Sequence, residues 1–352
     1  MKQEWTKLFR QHLAQYPQME PQDMVKLIAQ SVRGPGHLGL EQAEVEKDLC
    51  REWQQVPADA SPRVEPIGNG LCRFYLWGDE SPLAAGLLAH LLVRTAEETT
   101  FDPQQAQEAL SAWEKMQMPA WNDALHQWQQ QGFPVVSHSA FYKTMYAPHY
   151  RVIRLEYAQW FFGLLPLWEQ MQTGRSVIVA LDGRCGSGKT TLAQLAEQVL
   201  GYQVFHMDDY YLPLGQRDPD WEQQPAGNMD LERFRTQVLE LTRAGQPVRY
   251  RPYRCQVGAY ATETVLPPAK QILVEGSYCL HPALRPYYDE TLFLTCTPAE
   301  QQSRLQAREG DYYPMFRARW IPMEERCYTA YHIPTKAERI LDTTDFLVRQ
   351  KG

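Results

Sequence analysis

Residues 183–190 of the chain, GRCGSGKT, have the types and the spacing that hold phosphate groups in proteins. They satisfy the pattern G-x-x-x-x-G-K-[ST], they follow the apolar run VIVAL, and they lead into the helical pattern TLAQLAEQVL. Glycines let backbone N–H groups curl around phosphate oxygens, and the N-terminus of the next helix adds partial positive charge. We expect Lys189 to reach the β- and γ-phosphates of a nucleotide and the Thr190 hydroxyl to bind Mg²⁺. The alternative is a glycine turn that matches the pattern by chance, which the strand and helix around it disfavour.

Two acids, Asp208 and Asp209, follow the next apolar run, residues 203–207. Ligands of parallel α/β sheets bind at the carboxyl ends of the strands, where these acids would lie beside the phosphate loop. A carboxylate there can take the proton from an acceptor hydroxyl or help to hold a metal ion. A helix cap or a solvated turn is the structural alternative.

The second half of the chain alternates between apolar runs rich in β-branched residues and helical patterns. The predicted strands are 177–181, 204–206, 272–274 and 292–294, and the predicted helices are 189–200, 230–244 and 298–309. Such alternation is typical of a parallel sheet covered by helices. We therefore expect an α/β domain over residues 174–352, after a short polar link at 172–175.

The first half, residues 1–172, is expected to be a separate and mostly α-helical domain. Apolar spacing predicts helices at 21–32, 41–55, 82–97, 103–116 and 155–171, and residues 63–77 predict a hairpin that turns at 68–70. His37, His138 and His149 would form a metal or catalytic site if they converged. A structural role for each histidine is the alternative.

Composition excludes several classes of protein. The 352 residues are 44% hydrophobic and 22% charged, as in globular chains, and the net charge of −7 disfavours a nucleic-acid binder. The longest uncharged apolar run, 81–92, is too short to cross a bilayer, and no secretory signal is visible near the start. The seven cysteines contain no Cys-x-x-Cys pair, so we expect free thiols in a reducing cytoplasm.

Five segments in order, GRCGSGKTT, HMDDYY, GNMDLERF, PVRYRPYRC and ILVEGSYCL, resemble the uridine kinase and phosphoribulokinase-like family of P-loop kinases over residues 176–349. The resemblance implies transfer of the γ-phosphoryl group of ATP, with Mg²⁺, to a hydroxyl of a small molecule. It also implies a helical lid at residues 310–328. The residues expected to contact the nucleotide are Gly183, Arg184, Cys185, Gly186, Ser187, Gly188, Lys189, Thr190 and Thr191.

The resemblance also implies roles for single residues near the acceptor and the metal. Asp208 matches the catalytic base, and Tyr211 matches a tyrosine on the substrate side. Asp230 matches an acid that holds acceptor hydroxyls, although an aspartate here also suits the N-cap of the helix LERFRTQVLEL. Tyr253 matches an aromatic residue placed against the acceptor, and Glu275 matches an acid near Mg²⁺ and its waters.

Arg304 and Arg308 occupy positions where family arginines approach the phosphates as the lid closes. They are four residues apart and therefore share one face of a helix. Together with Lys189 they would complete the catalytic set with Asp208. A solvated basic face that pairs with Glu300 and Glu309 is the alternative.

The sequence does not identify the molecule that accepts the phosphoryl group. Uridine kinases usually carry a histidine shortly after the tyrosine matched by Tyr253, whereas this chain has none there and instead carries Arg249, Arg251 and Arg254. Arginine pairs well with phosphate and carboxylate, so sugar phosphates and hydroxy acids stand beside nucleosides as candidate acceptors. A homo-oligomer is compatible with the resemblance, since related kinases often self-associate. The competing hypothesis is a switch in which the ATP state controls what the first domain binds.

Overall fold

The structure is a computed structural model, and it describes residues 4–36, 41–78, 81–345, 347 and 349–351. The chain divides into two compact units, Met1–Gln159 and Trp160–Gly352. Helix 161–172, which the sequence grouped with the first domain, thus belongs to the second unit. None of the helices among the described residues is long and apolar enough to cross a membrane. All seven cysteines carry free thiols.

The first unit is mostly helical, as the sequence predicted. Its helices are α1 (Trp5–Gln15), α2 (Pro21–Arg33), α3 (Gln42–Trp53), α4 (Pro82–Glu98), α5 (Pro103–Glu114), α6 (Asn122–Gln130), α7 (Ala140–Tyr146) and α8 (Leu155–Gln159), with a 3₁₀ turn at Pro119–Trp121. The helix predicted at 155–171 is divided at Trp160, whose backbone leaves helical geometry. The core is rich in aromatic residues; Trp5, Phe9, Trp113, Trp128 and Tyr142 are all buried in it.

A small antiparallel sheet completes the first unit. Strands β1 (Arg63–Gly68) and β2 (Leu71–Tyr75) form the predicted hairpin, and Gly68, Asn69 and Gly70 all have positive φ angles in its turn. A third strand, β3 (Tyr150–Arg154), pairs antiparallel with β2, so that Cys72 lies opposite Ile153. The sequence did not reveal β3, because its five residues directly follow turn residues and lack a hairpin partner nearby in the chain.

The second unit is built on a six-stranded sheet. Its strands are β4 (Val177–Gly183), β5 (Gln203–His206), β10 (Gln271–Glu275), β11 (Glu290–Thr295), β12 (Arg339–Asp342) and β13 (Arg349–Lys351). They lie in the order β13-β12-β11-β4-β10-β5. All adjacent pairs are parallel except β12 with β13. Two short antiparallel pairs, β6 (Val248–Tyr250) with β9 (Thr264–Leu266) and β7 (Tyr253–Arg254) with β8 (Ala259–Tyr260), lie outside this sheet. The four predicted strands are therefore confirmed, and they lie in a parallel sheet.

Helices connect these strands. They are α9 (Phe161–Gln172), α10 (Lys189–Leu195), α11 (Leu231–Phe234), α12 (Glu240–Arg243), α13 (Pro298–Glu309), α14 (Tyr313–Met315), α15 (Ile321–Tyr331) and α16 (Ile333–Lys336). Single π turns at Ala196–Leu200, Arg235–Leu239 and Phe316–Trp320 extend α10, join α11 to α12, and join α14 to α15. Short 3₁₀ turns occur at Met207–Tyr210, Leu214–Gln216, Arg285–Tyr287 and Gly310–Tyr312. This strand–helix order and the phosphate loop between β4 and α10 give the second unit the α/β fold of P-loop kinases.

Candidate active site

The phosphate loop connects the end of β4 to the start of α10, and its backbone requires glycine at two positions. Gly183 has a φ of +148°, and a Cβ there would lie 2.2 Å from the carbonyl oxygen of Leu294. Gly188 has a φ of +97°, and a Cβ there would lie 2.5 Å from the indole ring of Trp160. Neighbouring backbone and side-chain atoms therefore close the space that any larger residue would need.

The amino group of Lys189 folds back across the loop. It donates hydrogen bonds to the carbonyl oxygens of Gly183 at 2.5 Å and of Arg184 at 3.2 Å. Burial alone would lower the pKa of Lys189, but the nearby carboxylates, chiefly Glu324 and Asp182, raise it above its ordinary value. The loop thus presents a stable cation where a phosphate would sit.

A cavity of about 260 Å³ opens above the loop, and the structure brings most of the predicted residues to its wall. The predicted residues that line it are Cys185, Gly186, Gly188, Lys189, Thr190, Thr191, Asp208, Tyr211, Glu275 and Arg308. Gly183, Arg184, Ser187, Asp230, Tyr253 and Arg304 are the predicted residues outside this wall. The loop, the acid after β5 and the acid at the end of β10 therefore meet at one place.

Thr190 and Glu275 form the side of the cavity where a metal ion would be held. The Thr190 hydroxyl lies 3.5 Å from Glu275 Oε1, and a hydroxyl and a carboxylate are ligands that suit Mg²⁺. No group of three or more His, Cys, Asp or Glu side chains able to hold a metal occurs in the part of the chain that the structure describes. The donor set fits an ion that takes most of its ligands from phosphate oxygens and water, as Mg²⁺ does beside a nucleotide.

His206 shares Glu275 with this position. The parallel register of β10 and β5 places the two residues side by side, and His206 Nδ1 lies 2.6 Å from Glu275 Oε1. This hydrogen bond raises the pKa of His206. No role was predicted for His206, although it lies at the end of a predicted strand.

Asp208 and Tyr211 form the opposite side. Asp208 lies on the 3₁₀ turn that follows β5 and is open to the cavity, and the Tyr211 hydroxyl donates a hydrogen bond to its Oδ1 at 2.9 Å. Desolvation raises the pKa of Asp208, and the hydrogen bond from Tyr211 limits that rise. A carboxylate so placed can accept a proton from a hydroxyl bound in the cavity.

Asp230 and Arg304 make structural contacts that the sequence analysis had given as alternatives. Asp230 is the N-cap of α11, where its side chain accepts a hydrogen bond from Arg233 N at 3.1 Å. Arg304 donates to Glu300 Oε1 at 2.8 Å and to the hydroxyl of Thr343 at 2.9 Å. Neither Asp230 nor Arg304 lines the cavity.

Arg308 and Tyr253 are placed differently from each other. Arg308 lines the cavity; its side chain is 57% exposed and donates to Glu309 Oε1 at 2.6 Å. Tyr253 is buried in the β7–β8 hairpin, where its ring packs against Tyr260 at 5.3 Å between centroids. Of the predicted arginine pair, only Arg308 therefore faces the space above the loop.

The three arginines around Tyr253 are also held by other groups. Arg254 pairs with Asp209 at 2.9 Å, and Arg249 pairs with Glu263 at 3.6 Å. Arg251 donates to the carbonyl oxygen of Ala261 at 2.9 Å. None of the three lines the described cavity wall.

Glu324 was missed by the sequence analysis, although it lies in the segment predicted as a lid. It projects from α15 into the cavity, where its Oε2 accepts a hydrogen bond from the backbone N–H of Cys185 at 2.9 Å and its Oε1 accepts one from Ser277 at 2.6 Å. Phe316 and Trp320 of the same segment also line the cavity. The signal was weak because nothing in the sequence brings α15 near a loop that precedes it by more than a hundred residues.

Asp182, the residue before the loop, was also missed. Its carboxylate is fully buried, and it accepts hydrogen bonds from the backbone N–H groups of Gly183, Tyr278 and Leu280 and from the Tyr328 hydroxyl. Burial raises its pKa to about 6 despite these donors. Its position at the end of the strand VIVALD could have drawn attention to it.

Asn228 is the third residue that the sequence did not single out. It is 1% exposed and lines the cavity, and neither its side-chain oxygen nor its side-chain nitrogen has a hydrogen-bond partner among the described residues. Buried amides in proteins are nearly always paired. An unpaired amide at a cavity wall is therefore free to bind a polar group of a ligand.

Two of the three histidines noted in the first half lie at one cavity of the first unit. His138 contacts Asp23 at 2.9 Å, His149 contacts Glu52 at 3.0 Å, and both line that cavity. His37 lies outside the described residues.

Comparisons with known proteins agree with the sequence motifs. No family model matches the chain. It is 29% identical to uridine-cytidine kinase C of Dictyostelium discoideum over 118 residues, which are 33% of this chain and 26% of that protein. The match thus spans about a quarter of the length of this curated relative. The resemblance to uridine kinases that the motifs indicated is confirmed by it.

Solved structures of kinases also align with the chain. A possible uridine kinase from Bacillus stearothermophilus is 20% identical, with 51% of this chain covering 97% of it at a TM-score of 0.40. A candidate fructose transport system kinase from Silicibacter sp. TM1040 is 22% identical, with 44% of this chain covering 85% of it at a TM-score of 0.38.

Proposed function

We propose that the second unit is an ATP-dependent kinase that transfers the γ-phosphoryl group to a hydroxyl of a nucleoside or a related metabolite. The observation that carries the proposal is that Lys189, Thr190 and Asp208 line one cavity, with the phosphate loop on one side and an acid on the other. Phosphoryl transfer needs positioning and neutralisation of charge more than covalent chemistry, and this set of groups supplies both.

The nucleotide would bind with its β- and γ-phosphates on the loop amides and on the ammonium group of Lys189. Thr190 and Glu275 would hold Mg²⁺, which neutralises charge on the phosphate oxygens when bound. Arg308 is exposed enough to turn toward the same phosphates. The phosphate loop and Arg308 of α13 would thus both stabilise the negative charge of the phosphates.

Asp208 would act on the acceptor. Its carboxylate would accept the proton of the attacking hydroxyl, while the new oxygen–phosphorus bond forms and the bond between the β- and γ-phosphates breaks to leave ADP. Tyr211 would keep the carboxylate oriented through its hydrogen bond to Oδ1. The raised pKa of Asp208 favours proton uptake at this position.

The surroundings of the acceptor favour a neutral ligand. Asn228 offers an unpaired amide donor and an unpaired acceptor at the cavity wall. The arginines that would suit a phosphorylated acceptor are engaged elsewhere, Arg254 with Asp209 and Arg249 with Glu263. The name of the curated relative, a uridine-cytidine kinase, agrees with a nucleoside.

An acceptor screen with one variant tests the proposal. Full-length protein, ATP and Mg²⁺ would be incubated with nucleosides, sugar phosphates and hydroxy acids, and both ADP and the phosphorylated product would be measured. We expect Asp208→Asn to lower transfer by about 10²-fold or more and to leave ATP affinity within a few fold. Asp218→Asn, an exposed acid on the following loop, is the matched control and should transfer at the parent rate.

Two results would overturn the assignment. Transfer by Asp208→Asn at the parent rate would remove Asp208 as the base. Slow ATP hydrolysis that no acceptor stimulates would instead favour a nucleotide-dependent switch.

A further inference from the structure

Two cavities of the first unit share a polar wall. Their volumes are about 340 Å³ and about 740 Å³, and Lys26, Gln30, Asp48 and Tyr150 line both. Together they offer the space that a small metabolite needs. The α2 helix supplies the two residues at the centre of this wall, Lys26 and Gln30.

The carboxylates that line the larger cavity are already paired. Asp48 lies 3.1 Å from Arg51, and Glu52 lies 2.6 Å from Arg151. Each pair brings a cation and an anion together, so these pairs add no net charge. The net charge of the larger cavity therefore depends on its other charged residues.

Those residues are two lysines. Lys26 and Lys143 both line the larger cavity, and the ammonium group of neither makes a hydrogen bond or an ion pair with any residue in the described ranges. Burial, together with the positive charges of Arg73 and Lys143, lowers the pKa of Lys26 to about 8. A half-buried ammonium group that has no ion-pair partner and is repelled by neighbouring cations is costly, and a bound anion would reduce that cost.

The wall behind Lys26 is a rigid hydrogen-bond chain. His138 Nδ1 lies 2.9 Å from Asp23 Oδ1, and its Nε2 lies 2.6 Å from the Tyr150 hydroxyl. Gln30 Nε2 donates to that hydroxyl at 3.0 Å, and Gln30 Oε1 accepts from Arg73 at 3.0 Å. Every member is thereby fixed before any ligand arrives, which reduces the entropy lost on binding.

Arg73 adds a second unmet polar group. Its guanidinium is fully buried, and its Nη2 has no hydrogen-bond partner among the described residues. It lies 5.0 Å from the centroid of the ring of Tyr150, which lines both cavities. Although Arg73 pairs with Glu65 at 3.1 Å, its charge still lowers the pKa of Lys26.

We propose that the first unit binds a small metabolite through a carboxylate or phosphate group, which pairs with Lys26 while Tyr150 and Gln30 hold neighbouring polar atoms. This site lies wholly within residues 26–152 and goes beyond the kinase reaction of the second unit. It gives the first unit a ligand of its own.

Titration of two anions tests the site. Inorganic phosphate and malonate would be titrated separately into the full chain carrying Lys189→Met, since that change removes the phosphate-loop cation as a competing site. We expect saturable binding of at least one anion, and which of the two binds more tightly distinguishes a phosphate group from a carboxylate group. Adding Lys26→Met should weaken that binding about tenfold or more, because a hydrogen bond to a charged group is lost. Lys26→Arg keeps the charge and should retain most of the affinity.

A second measurement does not depend on whether the Lys26→Met variant folds. In the Lys189→Met chain with Lys26 intact, an amine-reactive reagent followed by mass spectrometry should label Lys26 more slowly when the bound anion is present. Labelling of Lys115, an exposed lysine of the same unit, should not change. The proposal is overturned if neither anion binds saturably, if Lys26→Met binds as tightly as its parent, or if the anion leaves the labelling of Lys26 unchanged.

Discussion

The side chain of Glu324 accepts a hydrogen bond from the backbone N–H of Cys185 at 2.9 Å, so an acid from α15 occupies an amide of the phosphate loop. Amides of such a loop are the groups that bind phosphate oxygens. A nucleotide must therefore displace this carboxylate or bind beside its negative charge. We therefore expect the carboxylate of Glu324 to lower the affinity for nucleotide.

Replacing Glu324 by glutamine should tighten nucleotide binding. The amide keeps the shape of the side chain but removes a negative charge within the cavity, and we expect about a tenfold lower Kd for ADP. Calorimetric titration of ADP with Mg²⁺ measures this. Glu325→Gln is the control, because Glu325 is already paired with Arg184 at 2.5 Å and does not line the cavity. Weaker binding by Glu324→Gln would show that the carboxylate supports the loop instead.

Asn228→Ala should affect the acceptor and not the nucleotide. If the unpaired amide binds the acceptor, its loss should raise the KM for the acceptor about tenfold with little change in ADP affinity. The free energy of unfolding should not fall as it does when a paired buried amide is removed, since no hydrogen bond within the protein is lost. Steady-state kinetics and urea unfolding give the two readouts. Gln216→Ala, an exposed amide on a nearby turn, should change neither quantity.

Gly188→Ala should disrupt the phosphate loop. The new methyl group would meet Trp160 in a backbone conformation that side chains rarely adopt, so we expect a loss of about 1–3 kcal/mol in unfolding free energy. The same distortion should weaken ADP binding about tenfold or more, because the loop amides would no longer converge. Gly201→Ala is the control that separates backbone strain from the steric clash with Trp160. Gly201 also has a positive φ, +73°, but no atom lies within 4 Å of the position that a Cβ would take. Equal nucleotide affinities in the two variants would contradict this account of the loop.

The first unit should lose stability as the pH falls below neutrality. Burial lowers the pKa of His138 to about 4 even though Asp23 raises it, so the unfolded chain takes up this proton at a higher pH than the folded one. The stability is complete above pH 6.5 and is lost as the pH falls to about 4, by up to about 3 kcal/mol.

Glu65 extends the loss to lower pH. Burial opposes its ionisation, but its hydrogen bond with His12 and the charge of Arg73 lower its pKa to about 2, so its contribution disappears between pH 4.5 and pH 2. Urea unfolding at a series of pH values measures how the free energy of unfolding depends on pH. His138→Gln should weaken this dependence between pH 6.5 and 4, whereas His126→Gln, at a half-exposed residue, should not. A midpoint that stays constant from pH 7 to pH 4.5 would contradict the prediction.

The chain order of strands, helices and phosphate loop was readable because each is encoded locally. The run VIVAL, the glycines after it and the helical pattern from Lys189 all lie within one short stretch, and the parallel sheet followed from their repetition. The position of Asp208 was readable for the same reason, since strand ends of parallel sheets meet at one edge.

Contacts between distant segments were not readable. The bond between Glu324 and Cys185 joins residues 139 positions apart, and strand β3 pairs with β2 across more than seventy residues. Asp230 and Arg304 were ambiguous because the same residue types serve as caps and ion pairs as well as ligands. Asn228 gave no signal at all, since its importance lies in partners that it lacks.

The buried carboxylate of Asp182 limits how the segment above the cavity can move. The hydroxyl of Tyr328, near the end of α15, lies 3.1 Å from Asp182 Oδ1 and 2.8 Å from the carbonyl oxygen of Gly183, and its single proton is shared between these two acceptors. These contacts anchor the carboxyl-terminal end of α15 to the floor of the cavity. If this segment opens to admit a nucleotide, we expect Tyr328 to stay in place while Phe316 and Trp320, which line the cavity, move outward.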